Sequence, residues 1–115
     1  MLGLVKGWAI AALLTVSLTS PTWAEGLTAS AQPSALFEVH CSGCHLNGGN
    51  IIRRGKNLKL KALQKNKVDS VAAIATLIAN GKNNMSAYRD KLSTAEINAL
   101  ADYVLAQAEQ GWPKG

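Results

Sequence analysis

Reactive side chains are scarce in this chain. It has two cysteines and two histidines in 115 residues, and all four fall inside HCSGCH (40–45). A structural zinc site takes four ligands in a tetrahedron. Here all four would have to come from six consecutive residues, which cannot easily close around a metal. No segment alternates apolar and polar residues for long enough to read as a strand, so the sheet that precedes a thioredoxin-like Cys-x-x-Cys pair is missing. No apolar run approaches the roughly 20 residues needed to cross a bilayer. The run Trp8–Leu18 has 11. Internal repeats and low-complexity stretches are absent as well.

The short apolar run has another use. Lys6 gives a positive start, Trp8–Leu18 an apolar centre, and Pro21, Thr22 and Ala24 a small-residue ending, the parts of an export signal cleaved after Ala24. On this reading residues 1–24 are removed and residues 25–115 form one domain of 91 residues. A domain of that size has a modest core and often recruits a disulfide, metal or cofactor. With Lys6 gone, 11 basic residues face 7 acidic ones. Seven of the basic residues lie between Arg53 and Lys67, with no acid among them. An exported protein rarely meets nucleic acid. The stretch is therefore either a solvated lysine-rich face or a surface that steers an acidic partner protein into contact.

Three helices are legible, so the expected fold class is all-α. The first covers about Ser34–Gly43, with Leu36, Phe37 and His40 at helical spacing, and runs into the cysteine motif. The second opens at Asp69 as N-cap and ends at Gly81, with Val71, Ile74, Ala75 and Ile78 on one face. The third starts with the capping box Ser93-x-x-Glu96 and stops at Gly111. Its stripe is Ile97, Leu100, Ala101, Val104, Leu105 and Ala108. A short helical turn is expected near Leu60–Gln64. The stretches Leu46–Asn57 and Lys82–Lys91 read as long structured loops, of the kind that wrap something.

Cys41-x-x-Cys44-His45 has the spacing of a haem anchor. Two thiols with two residues between them can add to haem vinyl groups along one porphyrin edge, and the next helical turn brings His45 onto the iron. An export signal agrees, because haem of this type is attached outside the cytoplasm. The alternative is a thiol redox or metal-binding module, which predicts two free thiols and no haem by mass. After signal removal one methionine remains, Met85, 40 residues past His45 in a polar loop. That is ample chain to supply a sixth ligand. His/Met ligation leaves no open iron position and raises the potential, which suits electron transfer. His40, immediately before Cys41, is too close along the chain to reach the far side of the ring.

Beyond these residues the chain resembles the class I c-type cytochromes, and within them the cytochrome c6 family, soluble electron carriers of the thylakoid lumen in cyanobacteria and algae. The resemblance spans Leu27–Trp112. It rests on Phe37 four residues before Cys41, on CSGCH, on NGGN (47–50), on NGKNNM (80–85) and on ADYVLAQAEQGW (101–112). It implies an all-α class I cytochrome c fold wrapped around one covalently attached haem c. Cys41 and Cys44 become the thioether attachments, and His45 and Met85 the axial ligands of the haem iron. Phe37 is implied to meet Tyr103 where the first and last helices cross.

The implied function is one-electron carriage without enzymatic activity. Donor and acceptor would be the cytochrome b6f complex and photosystem I, or a terminal oxidase, met by transient docking of a monomer in the thylakoid lumen or periplasm. No nucleic acid is involved, and no part spans a membrane once the signal is removed. Three positions depart from the family pattern. Ser86 replaces the proline of Met-Pro-Ala-aromatic, "RDK" (89–91) replaces a Gly-Gly-Arg or Asp-Gly-Arg, and Leu77 stands where the photosynthetic carriers place glutamine. These mark a divergent, low-potential branch. The alternative they leave open is a haem sensor or catalytic haem protein whose Met85 detaches, since Ser86 is less stiff than proline.

Overall fold

The computed structural model describes residues 3, 7, 11–19 and 31–114. The expected cleavage site after Ala24 lies outside the described residues, as does Lys6. Residues 11–19, which include most of the expected signal's apolar run, are exposed and carry no regular secondary structure. No helix among the described residues is long and apolar enough to cross a membrane.

Five helices follow: α1 Pro33–His40, α2 Ser42–His45, α3 Leu60–Lys65, α4 Val71–Asn80 and α5 Thr94–Glu109. Single 3-10 turns cover Leu46–Gly48 and Arg54–Lys56. There is no strand among the described residues, so the all-α expectation holds.

Pro33 opens α1 at the position where its missing N–H costs nothing. The first helix was expected to run to Gly43. It breaks at Cys41, whose carbonyl takes the N–H groups of both Cys44 and His45 and starts the new turn of α2. The N-cap of α4 is Ser70 rather than Asp69. Ser70 has the extended backbone a cap requires, and its hydroxyl accepts the Ala73 N–H at 3.1 Å.

The capping box of α5 forms as expected. The Ser93 hydroxyl accepts the Glu96 N–H at 3.1 Å, and the Glu96 carboxylate accepts the Ser93 N–H at 2.9 Å. Ile97, Leu100, Ala101, Val104 and Ala108 of its stripe are buried, and Leu105 is half-buried at the margin.

The stripe of α5 is the floor on which α1 and α4 pack, and together they bury Leu36, Phe37, Ile74, Ile78 and Leu100. Phe37 and Tyr103 meet where α1 crosses α5, with ring centroids 5.6 Å apart. Trp112 joins them, 5.2 Å from Phe37 and 6.3 Å from Tyr103. No polar or charged residue is buried among those described. Burying apolar groups without orphaned polar ones is the main stabilising term available to so small a domain.

Candidate functional site

The break at Cys41 shapes one wall of the site. Cys41 is half-buried, Cys44 is exposed and His45 is half-buried on the one-turn helix α2. Asn47 and Gly48 then take left-handed backbone conformations, which fold the chain back beneath the motif. As a result the Gly49 carbonyl lies 2.7 Å from His45 Nδ1. A carbonyl only accepts, so Nδ1 carries the proton and Nε2 is left as the free lone pair. This is how metal-ligating histidines are commonly oriented.

Asn50 holds the loop that follows. Its side-chain oxygen accepts the N–H groups of Ile52 (3.0 Å) and Arg53 (2.8 Å), while its amide donates to the Lys56 carbonyl (3.1 Å).

Met85 is placed by the end of α4. Gly81 has φ +67, and a Cβ there would lie 2.4 Å from the Met85 carbonyl oxygen and 2.8 Å from the Ala87 nitrogen. Only glycine allows the loop to fold back this closely. Lys82 and Met85 exchange both backbone hydrogen bonds (3.0 and 2.9 Å), with Asn83 left-handed at the tip of the turn. Tyr88 then donates its N–H to Ile78 O (2.9 Å) and its hydroxyl to His40 O (2.9 Å). Arg89 is tied to Asn80 through its guanidinium.

Cys41, Cys44, His45 and Met85 thus line one cleft of about 260 Å³. Its walls are largely apolar, with Leu58, Leu63, Ile74, Leu77, Ile78 and Val104. His40 also borders it, with its ring edge-on to Tyr88 at 5.6 Å. One imidazole nitrogen, one thioether sulfur and two thiols on apolar walls fit a haem bound covalently and ligated on its axis.

The rival readings fare worse. Among the described residues no three of His, Cys, Asp or Glu gather into a metal-holding group. Burial pushes the Cys41 thiol up to about 11, which is against Cys41 itself acting as an attacking thiolate.

The rim has its own chemistry. Leu46, Ile51 and Ile52 are exposed apolar residues close in sequence to the exposed Cys44. Arg53 and Lys56 border the cleft itself. The Lys59 ammonium reaches back to the Asn47 carbonyl at 2.8 Å, drawing the basic stretch against the turn behind the motif.

Sequence reasoning missed the Gly49 carbonyl, the steric need for Gly81, the Tyr88 hydroxyl and the role of Trp112. The glycines of "NGGN" and "NGK" signalled tight backbone, but not what they make room for.

Residues 28–104 match the family described as cytochrome C oxidase, cbb3-type, subunit III. A cytochrome c6-like protein of Nostoc sp. (strain PCC 7120) is 56% identical over 99 residues, covering 86% of each chain. A cytochrome c6 of Cyanidioschyzon merolae is 41% identical over 100 residues, covering 87% of this chain and 92% of that one. Among solved structures, cytochrome c6C from Synechococcus sp. PCC 7002 superposes with a TM-score of 0.67 at 61% identity, over 69% of this chain and 96% of that one. Oxidized cytochrome c6A from Arabidopsis thaliana gives 0.70 at 36% identity, over 75% and 96%.

Proposed function

The chain belongs to the cytochrome c6-like family, and from that premise we propose a soluble one-electron shuttle with His/Met-ligated haem. Its cofactor is one covalently attached haem c, and its work is electron transfer rather than catalysis. When bound, that group supplies an iron that takes up and releases a single electron. Cys41 and Cys44 would anchor it by thioethers. His45 would bind through Nε2, kept free by the Gly49 carbonyl, and Met85 would supply the sulfur. The observation that carries this reading is His45, with Nδ1 already engaged, sharing one apolar cleft with the half-buried Met85. A haem held by both His45 and Met85 would leave no iron position open to oxygen, which suits electron transfer.

Docking uses the rim. Leu46, Ile51 and Ile52 supply a small apolar contact near Cys44, and the basic stretch from Arg53 to Lys67 steers acidic partners toward it. The donor in this reading is the cytochrome b6f complex, and the acceptor is photosystem I or a terminal oxidase. Residues 1–24 direct export and are removed after Ala24, leaving residues 25–115 as a monomer in the thylakoid lumen or periplasm.

The test is a redox titration of the haem-loaded protein followed by electron-transfer kinetics with isolated photosystem I and with an isolated terminal oxidase. Saturable transfer that slows as salt rises supports the reading. Failure with both acceptors at all ionic strengths rejects it. Carbon monoxide added to the ferrous protein separates the sensor alternative, since a carrier with Met85 bound keeps its spectrum.

A further inference from the structure

We propose that Tyr88 is a positioning residue, whose hydroxyl clasps the His40 carbonyl and so governs how readily Met85 leaves the iron. The proposal rests on the reading of Met85 as axial ligand. A helix end leaves its last carbonyls without intrahelical partners. At the end of α1 the Phe37 carbonyl takes the Cys41 N–H (2.8 Å), and the Glu38 carbonyl takes the Ser42 hydroxyl (2.6 Å). The Cys44 amide, which in a continued helix would take the His40 carbonyl, bonds the Cys41 carbonyl instead. The His40 carbonyl is thereby released, and the Tyr88 hydroxyl occupies it from 48 residues away.

The same residue holds the other wall. Its N–H bonds Ile78 O near the end of α4. Tyr88 therefore joins the helix end that leads into the cysteine motif to the helix end that leads into the Met85 loop. Within the loop, the backbone of Met85 is bonded only to Lys82 among the described residues. Those two bonds close the turn on itself and tie its backbone to nothing else, while the Met85 side chain packs against the core. Among the described residues the hydrogen bonds from the loop to the body are those of Tyr88 and Arg89, and of their side chains only that of Tyr88 reaches α1. Lys91 Nζ sits 5.4 Å from the Tyr88 ring centroid, and the His40 ring lies edge-on to it, so the phenol is held in place from two sides. The clasp is part-buried, where water competes poorly for a hydrogen bond. Ser86 follows Met85 directly and lacks the fixed φ of a proline, so this contact adds stiffness that the loop's own backbone does not supply.

The test compares wild type, Tyr88→Phe and Met85→Ala as haem-loaded mature protein (residues 25–115), by cyanide titration of the ferric form, the weak far-red band of sulfur-to-iron ligation and thermal melting. Tyr88→Phe keeps the ring and removes only the hydroxyl. It should retain the far-red band without cyanide, yet bind cyanide about 2- to 10-fold more tightly, the factor one ordinary hydrogen bond supports. A purely structural role would lower the melting temperature and leave cyanide affinity unchanged, and that result overturns the clasp. If the band disappears in Met85→Ala while Tyr88→Phe binds cyanide like wild type, the ligand reading stands and the clasp alone fails. If Met85→Ala leaves the band intact, the ligand reading fails and the clasp falls with it.

Discussion

The Trp112 indole nitrogen donates to the Leu58 carbonyl at 2.9 Å, latching the end of the chain onto the loop that follows the cysteine motif. The same ring packs on Phe37, and it covers Gly48 so closely that a Cβ there would lie 2.5 Å from three of its atoms. Gly48 is also left-handed, with φ +76. The latch thus acts from behind the turn that places the Gly49 carbonyl under His45. The fold's last residues and the histidine's orientation are physically linked.

Gly48→Ala should therefore destabilise the haem-loaded protein by about 1–2 kcal/mol for the left-handed backbone alone, with displacement of the indole adding to it. Trp112→Ala removes the latch and leaves a cavity, at about 3–5 kcal/mol. Either is a large share of a stability of about 5–15 kcal/mol. Denaturant melts measure both. A Gly48→Ala protein within about 0.5 kcal/mol of wild type, the range of an ordinary surface change, would show that the turn can move away from the ring.

Covalent attachment predicts that acid–acetone extraction leaves the colour with the polypeptide. Haem that partitions into the solvent would count against thioethers at Cys41 and Cys44. The double variant Cys41→Ala/Cys44→Ala should yield little folded protein, because a covalently held macrocycle would add a large apolar surface to the modest core of so small a domain, against Ile74, Leu77, Ile78 and Val104.

Met85→Ala should abolish the far-red band of the ferric protein, open the iron to carbon monoxide and cyanide, and lower the midpoint potential, since a methionine ligand favours ferrous iron. Persistence of the band in this variant would falsify the assignment.

The α5 cap supplies a pH signature. The Glu96 carboxyl is held below its ordinary value of 4.5, first by the Ser93 backbone N–H and then by the Ser93 side chain. A carboxyl with a depressed folded-state value contributes stability above its unfolded value, and that contribution is lost as pH falls through the folded one. Melting curves of wild type and Glu96→Gln should therefore differ by a constant amount near neutrality and converge below about pH 4. Parallel curves down to pH 2 would mean that the charge on Glu96 does nothing for the helix.

Local chemistry was readable from the residues and distant backbone geometry was not. Ser93 and Glu96 announced their box because both partners lie within four residues. The stripe on α5 showed for the same reason, as periodicity records one helix's neighbours. Asp69 and Ser70 are adjacent and both suit a cap, so only the backbone angles at Ser70 choose between them. The apolar pattern runs unbroken through Cys41 and gave no warning of the break there. The contact of Tyr88 with His40 spans 48 residues and that of Trp112 with Leu58 spans 54. Each ends on a backbone carbonyl, a group every residue carries. Phe37 against Tyr103 was expected from family resemblance, and the rings do meet.

Leu77 offers the sharpest test of how the cleft tunes its iron. It lies on α4 one turn before Asn80 and lines the cleft beside the Met85 loop, at the position where photosynthetic relatives were expected to place glutamine. Two effects of leucine oppose each other. An apolar group excludes water, which disfavours the charged ferric state and raises the potential. Losing an oriented amide dipole removes a stabilisation of the ferrous state and lowers it. Leu77 is only half-buried and its neighbours Ile74 and Ile78 are buried, so the wall stays largely dry with either side chain. The desolvation difference is then small and the dipole decides the sign. An interaction of about 1 kcal/mol amounts to on the order of 40 mV for one electron. Leu77→Gln should therefore raise the midpoint potential by tens of millivolts at fixed pH and salt, and speed electron donation to high-potential acceptors. An unchanged or lower potential would remove the dipole account and leave water exclusion as the stronger influence of this wall on the iron.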